Sequence, residues 1–160
     1  MRYKVAPPPR SVSFLAAVRG AVPLVPETES DCCLAIQRAT DVSGRERARE
    51  YLTFTRALRL VTENSRGYHR TLEPLETARL ASAFRERVFL GRELVETVGT
   101  EPKSPEDAFD AVRDAVPRWE RERQPDWERE WRTRVEHLLG WGVEFGLLTV
   151  DDGQFRLASQ

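Results

Sequence analysis

The sequence predicts a mainly α fold with small β-hairpins, in which two helix-rich units pack as one rigid body. Apolar residues recur at helical spacing in two successive runs, and each run ends in a short segment with hairpin alternation and turn residues. A chain of 160 residues is long enough to bury about two-thirds of its unfolded surface without a metal or a disulfide. The predicted units cover residues 10–73 and 74–160.

The first unit is expected to begin with two short helices. Pro7 to Pro9 form an extended stretch, because proline cannot lie in a helix interior. Ser11 is the expected start of the first helix, which Pro23 and Pro26 end. A second helix is expected over about 30–39, and residues 40–42 form a turn.

A third helix and a hairpin complete the predicted first unit. Ser43 and Glu46 have the spacing of a capping box, in which each side chain binds the backbone amide of the other residue, so the helix is expected to start at Ser43. One face of this helix is apolar, formed by Ala48, Tyr51, Leu52, Thr55 and Leu58. Two strands are then expected over about 58–62 and 68–72, around a turn at 64–67.

The second unit repeats the order of elements, although we find no residue-level repeat in the sequence. A long helix is expected over about 74–98, and Ser104 followed by proline and two acids marks the next helix start. The last helix opens at 125–126 and stops at Gly146. The Asp152–Gly153 turn, between apolar alternation on both sides, predicts a second hairpin over 147–158.

Composition and charge limit the function classes. The chain is 40% apolar and 32% charged with a net charge of -1, which is typical of a globular protein. The sequence contains no run of 18 apolar residues, so we expect no membrane partner. Up to Leu75 there are 12 basic and 8 acidic residues, whereas the remainder has 13 basic and 18 acidic. A basic half favours a polyanionic partner and an acidic half repels one.

No catalytic, cofactor or metal motif is recognisable. Cys32 and Cys33 are adjacent and remote in sequence from His69 and His137, so neither a disulfide framework nor the usual metal spacing is present. The glycines form no phosphate-binding loop. We therefore expect no enzyme activity, no cofactor and no metal, and the cysteine usage favours a cytoplasmic protein.

Two segments carry a resemblance to a known family. Residues 43–46 followed by 62–68 look like a recognition helix running into a wing, and residues 146–157 look like a second such ending. The chain thus resembles a tandem winged-helix protein, and its arginine-rich, lysine-poor style resembles proteins of halophilic archaea. The resemblance implies DNA binding, although the family also includes pure interaction modules.

The third helix and the first hairpin supply the candidate nucleic-acid contacts. In a winged helix the recognition helix enters the major groove and the wing touches the backbone. The candidate residues are Ser43, Arg45, Arg47, Arg49, Arg66, His69 and Arg70. A helical wheel places Glu46, Glu50, Thr53 and Ala57 most directly outward, with arginines on either side. The glutamates would repel phosphates, so an ion-paired, solvated face is the alternative interpretation.

The second unit is a poorer candidate for DNA. Its last helices interleave acids with arginines, and its hairpin tip carries Asp151 and Asp152. Trp127 and Trp131 share a helix face and belong either to the core or to a partner interface. The sequence therefore predicts a DNA-binding regulatory protein that docks on double-stranded DNA by its first unit, with the second serving a homodimer or a protein partner. The alternative is an interaction scaffold without nucleic-acid binding.

Overall fold

The computed structural model describes residues 2–159, and the predicted fold class is confirmed. This part of the chain forms eight α-helices and two antiparallel hairpins. The helices are α1 (Val12–Ala21), α2 (Glu29–Ala39), α3 (Arg45–Ala57), α4 (Thr77–Arg87), α5 (Gly91–Thr100), α6 (Pro105–Val112), α7 (Arg118–Arg123) and α8 (Trp127–Glu144), with a 3-10 turn at Arg113–Ala115. The strands are β1 (Val61–Asn64), β2 (Gly67–Arg70), β3 (Leu148–Asp151) and β4 (Gln154–Leu157).

Helix starts follow the predicted capping residues with one exception. The Ser11 hydroxyl accepts from the Phe14 amide at α1, and the Ser104 hydroxyl accepts from the Asp107 amide at α6. The capping box at Ser43 was wrong, because Gly44 is the N-cap of α3 and no side chain caps that helix. Gly44 enters α3 with a φ of 87°, a conformation that glycine favours, and Ser43 stays exposed outside the helix.

Both predicted hairpins are confirmed, and each is joined to a loop of its own unit by a backbone pair, to which the first hairpin adds a bond from the Arg70 amide to the Pro23 carbonyl at 2.9 Å. Residue 58 ends α3 rather than starting a strand, so the first hairpin begins later than the sequence pattern suggests. Glu27, in the loop before α2, pairs with Tyr68 of β2 through N–O distances of 2.9 and 2.8 Å. Lys103, before α6, pairs in the same way with Phe155 of β4. These pairs bind each wing to the body of its unit.

The predicted long helix over 74–98 was wrong, because the chain breaks there into α4 and α5. Leu90 has a φ of 71°, which no α-helix interior contains. The N-terminal segment occupies the backbone groups at the break: the Tyr3 amide donates to the Arg87 carbonyl at 2.6 Å, and the Phe89 amide donates to the Tyr3 carbonyl at 2.9 Å. Local apolar spacing does not reveal a partner so distant in sequence.

The structure shows a positional repeat that the sequence did not reveal. The elements α1, α2, α3, β1 and β2 correspond in order and pairing to α5, α6, α8, β3 and β4. The residues that follow the third helix of each set, Arg59 and Gly146, both have left-handed φ values, 67° and 74°. The 3-10 turn and α7 are inserted before α8, and α4 lies outside the correspondence. The division at residues 10–73 and 74–160 stays a prediction.

The two sets of elements share one hydrophobic core. Phe54 of α3 lies 4.5 Å from Trp141 of α8 between ring centroids, and Trp141 lies 5.5 Å from Phe145. Phe84 of α4 contacts Phe145 edge to face at 5.7 Å. All four side chains are buried, so α3 and α8 are held in a fixed relation by an aromatic cluster.

Replacing Arg59 with glycine is expected to raise the free energy of unfolding by about 0.5–1 kcal/mol, because a left-handed φ strains a residue that has a Cβ. The salt bridge from Arg59 to Glu86 is exposed and contributes little. Urea denaturation measures the change. The converse variant, Gly146→Ala, should lose about 1 kcal/mol, and equal signs for the two variants would contradict the argument.

Candidate nucleic-acid interface

The solvent-facing side of α3 carries a row of arginines. Arg45 and Arg49 are exposed and Arg56 is half-buried, and with Thr53 they occupy successive turns on one side of the helix. We call Arg45, Arg49, Thr53 and Arg56 the α3 row. Of the face that the wheel placed outward, Glu46 is exposed and Glu50 and Thr53 are half-buried, but the prediction for Ala57 was wrong because this residue is fully buried. Phe54 packs on Trp141 of the second unit, which leaves the arginine side of α3 toward solvent.

Two guanidinium groups of this row lack a neutralising partner. Within residues 2–159, neither Arg45 nor Arg49 has a carboxylate oxygen within 4.0 Å, whereas Arg56 pairs with Glu63 at 2.7 Å. Burial raises the pKa of the Cys33 thiol on α2, and the nearby charges of Arg45 and Arg49 partly offset that rise. The unpaired charges therefore lie at the edge of α3 that faces α2.

The first wing adds one exposed cation. Arg66 is exposed at the hairpin tip, where its backbone amide donates to the Asn64 side-chain oxygen at 2.8 Å. His69 is half-buried, and its Nδ1 lies 3.3 Å from the Arg70 carbonyl oxygen. Arg70 is half-buried too, and its Nε is buried without a hydrogen-bond partner in the described part of the chain. Of the three predicted wing contacts, Arg66 is the one that solvent reaches freely.

The remaining candidates from the third helix lie apart from the α3 row. Ser43 is exposed just before the helix. Arg47 lies on another side of α3 and pairs with Glu50 at 3.3 Å. Arg47 is exposed as well, and it lines a cleft between α3 and α8.

The cleft beside Arg47 is formed by α3, α8 and the N-terminal segment. Its volume is about 500 Å³. Residues 2–10, which we call the N-terminal strap, pass between α3 and α8. The Trp141 indole N–H donates to the Pro7 carbonyl at 2.8 Å, and the Tyr51 hydroxyl donates to the Pro8 carbonyl at 2.6 Å. The lining comprises Lys4, Val5, Ala6, Glu46, Arg47, Arg49, Glu50, Glu130, Thr133, Arg134 and His137.

The second unit lacks an equivalent arginine row. In the positional repeat, α8 holds Arg132, Glu136 and Val143 where α3 holds Arg45, Arg49 and Arg56. The second wing tip exposes Asp151 and Asp152. Phosphate would meet carboxylates at both places, so the surface suited to a polyanion lies on the first unit.

The tryptophans predicted as partner contacts take part in packing within the chain. Trp131 is 2% exposed and meets the Phe89 ring edge to face at 5.7 Å. Trp127 is half-buried, 6.2 Å from the ring of Phe109. Their interface role stays a prediction. Trp119 on α7, which is not one of the predicted partner contacts, is 56% exposed.

A comparison of the whole chain with models of known protein families agrees with the order of elements and the two wings. Residues 1–160 match the family model described as the halobacterial double winged helix domain. The chain belongs to this family. The predicted tandem winged-helix resemblance and its archaeal character are therefore confirmed. No curated protein and no solved structure matches this halobacterial double winged helix chain.

The Cys32 thiol of this double winged helix chain is buried on α2. Burial raises the pKa of Cys32 to about 11, so this thiol stays protonated near neutral pH. Over residues 2–159, no group of three or more His, Cys, Asp or Glu side chains is arranged to hold a metal ion. No described helix combines the length and the apolar character needed to cross a membrane.

Proposed function

We propose that this protein is a DNA-binding regulatory protein that docks on double-stranded DNA through its first winged-helix unit. The observation that carries the proposal is the α3 row, in which Arg45 and Arg49 are exposed and form no ion pair with any residue from 2 to 159. Arg66 on the wing adds a third exposed cation. The double winged helix family supports a DNA-binding or regulator-like role in general.

In the proposed complex, the exposed side of α3 enters the major groove. Guanidinium groups at Arg45 and Arg49 would bind guanine edges or phosphates, and Ser43 would approach the bases from the start of the helix. Arg66 would bind a phosphate and fix the register of the protein. Binding alone accounts for this role, so we propose no enzymatic step and no cofactor, and we propose a cytoplasmic location.

Titration with random duplex DNA at rising salt tests the proposal. We expect binding at low salt that weakens steeply as salt increases, because each neutralised phosphate releases counterions. The triple variant Arg45→Gln/Arg49→Gln/Arg66→Gln should weaken binding and reduce the salt slope by about 3. The matched control, Arg92→Gln/Arg129→Gln/Arg156→Gln, removes three exposed arginines of the second unit and should leave both quantities unchanged. Absence of binding at low salt, or equal losses in both variants, would refute the proposal.

A second candidate function is an interaction scaffold, supported by the exposed ring of Trp119. Tryptophan is a frequent hot-spot residue in interfaces, and this ring stands on an inserted helix with no counterpart in the first unit. We propose a second copy of the chain as the partner. Sedimentation of the wild type and Trp119→Ala tests this: a dimer lost in the variant supports it, and a monomeric wild type rejects it.

A further inference from the structure

Corresponding helices of the positional repeat, α3 and α8, form the two walls of the cleft, and the N-terminal strap, which has no counterpart in the repeat, forms its floor. In the positional repeat, Glu46 corresponds to Thr133, Arg47 to Arg134 and Glu50 to His137, and all six line the cleft. The strap supplies the floor through Lys4, Val5 and Ala6. A volume of about 500 Å³ lies within the range of small-molecule sites.

Most charges in the cleft are already paired, and one of each sign is not. Arg47 pairs with Glu50 at 3.3 Å, and Arg134 pairs with Glu130 at 3.1 Å. Lys4 lies 3.7 Å from Glu120, which is outside the cleft. Within the described residues, Glu46 and Arg49 have no ion-pair partner within 4.0 Å. The cleft therefore presents one available carboxylate and one available guanidinium, one helical turn apart on α3.

The opposite wall adds two hydrogen-bonding side chains, His137 and Thr133, to the Arg134–Glu130 ion pair. The His137 Nδ1 lies 2.8 Å from the Ala6 carbonyl oxygen. A carbonyl oxygen can only accept, so the proton of the neutral ring is on Nδ1 and Nε2 is left as an acceptor. Thr133 adds a hydroxyl on the same wall, and this hydroxyl is bonded to the Arg129 carbonyl at 3.2 Å.

We propose that this cleft binds a free α-amino acid. The ligand carboxylate would pair with Arg49 and the ligand ammonium with Glu46, because an α-amino acid carries its two charges on neighbouring carbon atoms. The ligand side chain would lie over Val5 and Ala6, where a polar group reaches His137 Nε2. A purely anionic ligand would leave Glu46 unpaired and bring a second negative charge beside it, so both charges are required.

We expect the bound amino acid to regulate DNA binding. This regulatory part of the inference rests on the proposed function. Arg49 belongs both to the α3 row and to the cleft. An amino acid bound to Arg49 neutralises one of the two unpaired cations of the row, so it weakens DNA binding. By linkage, DNA weakens amino-acid binding by the same factor.

Calorimetric titration of the full chain, without DNA, with each of the twenty standard L-α-amino acids tests the site. We expect at least one to bind, and its N-acetyl and carboxamide derivatives to fail because each lacks one charge. Glu46→Gln should weaken binding of that amino acid at least tenfold. Glu136→Gln, an exposed glutamate of α8 that does not line the cleft, should bind like the wild type.

Binding by no standard amino acid, equal binding of the derivatives, or full affinity in Glu46→Gln would overturn the site. Thermal unfolding of Glu46→Gln checks that the variant is folded. If it is not, Arg49→Gln removes the partner of the ligand carboxylate and should weaken binding at least tenfold, and full affinity in that variant would overturn the site. Repeating the DNA titration with the amino acid separates the two proposals. If the protein binds the amino acid but no duplex, the regulatory link is overturned and the amino-acid site stands. If it binds duplex but no amino acid, the site is overturned and the DNA-binding function stands.

Discussion

Trp141→Ala is expected to lower the free energy of unfolding by about 4 kcal/mol, which is the usual cost of removing a large buried aromatic ring. The Trp141 side chain is fully buried and packs on Phe54 and Phe145, so its loss leaves a cavity where α3 meets α8. The indole N–H also holds the strap at the Pro7 carbonyl, and that carbonyl would lose its partner.

Urea denaturation of the wild type and the variant measures this change. Leu72→Ala is the control, since it removes a large apolar side chain that is 87% exposed, and it should change stability by less than about 1 kcal/mol. A similar loss in both variants would show that the aromatic cluster does not join the two units.

Gly67→Ala is expected to lower the free energy of unfolding by about 3 kcal/mol. Gly67 opens β2 with a φ of 135°, which residues with a side chain rarely adopt. A Cβ there would lie 2.2 Å from the Glu27 carbonyl oxygen, so the backbone pair between Glu27 and Tyr68 would have to separate. The first wing would then keep one backbone hydrogen bond to the loop before α2, from the Arg70 amide to the Pro23 carbonyl at 2.9 Å.

Amide hydrogen exchange at Tyr68, together with urea denaturation, measures the loss. Gly20→Ala is the control with the same added methyl group. Gly20 lies within α1, and no atom lies within 4 Å of the Cβ position, so alanine there should stabilise by about 0.5–1 kcal/mol. Unchanged exchange at Tyr68 in Gly67→Ala would contradict the role of the bridge.

The two wings show which local signals were sufficient. Asp152–Gly153 between apolar alternation predicted β3 and β4, and Asn64 to Gly67 predicted the turn of the first wing. In each case the turn residues and the strand pattern are neighbours in sequence. The helix starts at Ser11 and Ser104 were equally local, because the capping hydroxyl and its amide are three residues apart.

The candidate site shows where local signals failed. The wheel for α3 placed its core face correctly through Ala48 and Leu52, but it put the fully buried Ala57 on the outward face. Phe54 packs on Trp141 of the second unit, so the exposed side of α3 is the side of Arg45 and Arg49. No short-range pattern contains that contact.

The sequence by itself determined the helix starts at Ser11 and Ser104 and the two wings, because each depends on residues within a few positions of one another. Composition alone gave the basic character of the first half. Tertiary structure alone decided the break between α4 and α5, the face of α3 that meets solvent, and the cleft beside it. All three depend on the strap and on the contact between α3 and α8. Such contacts join residues far apart in the chain, and their energy comes from burial and backbone pairing that only the folded chain provides.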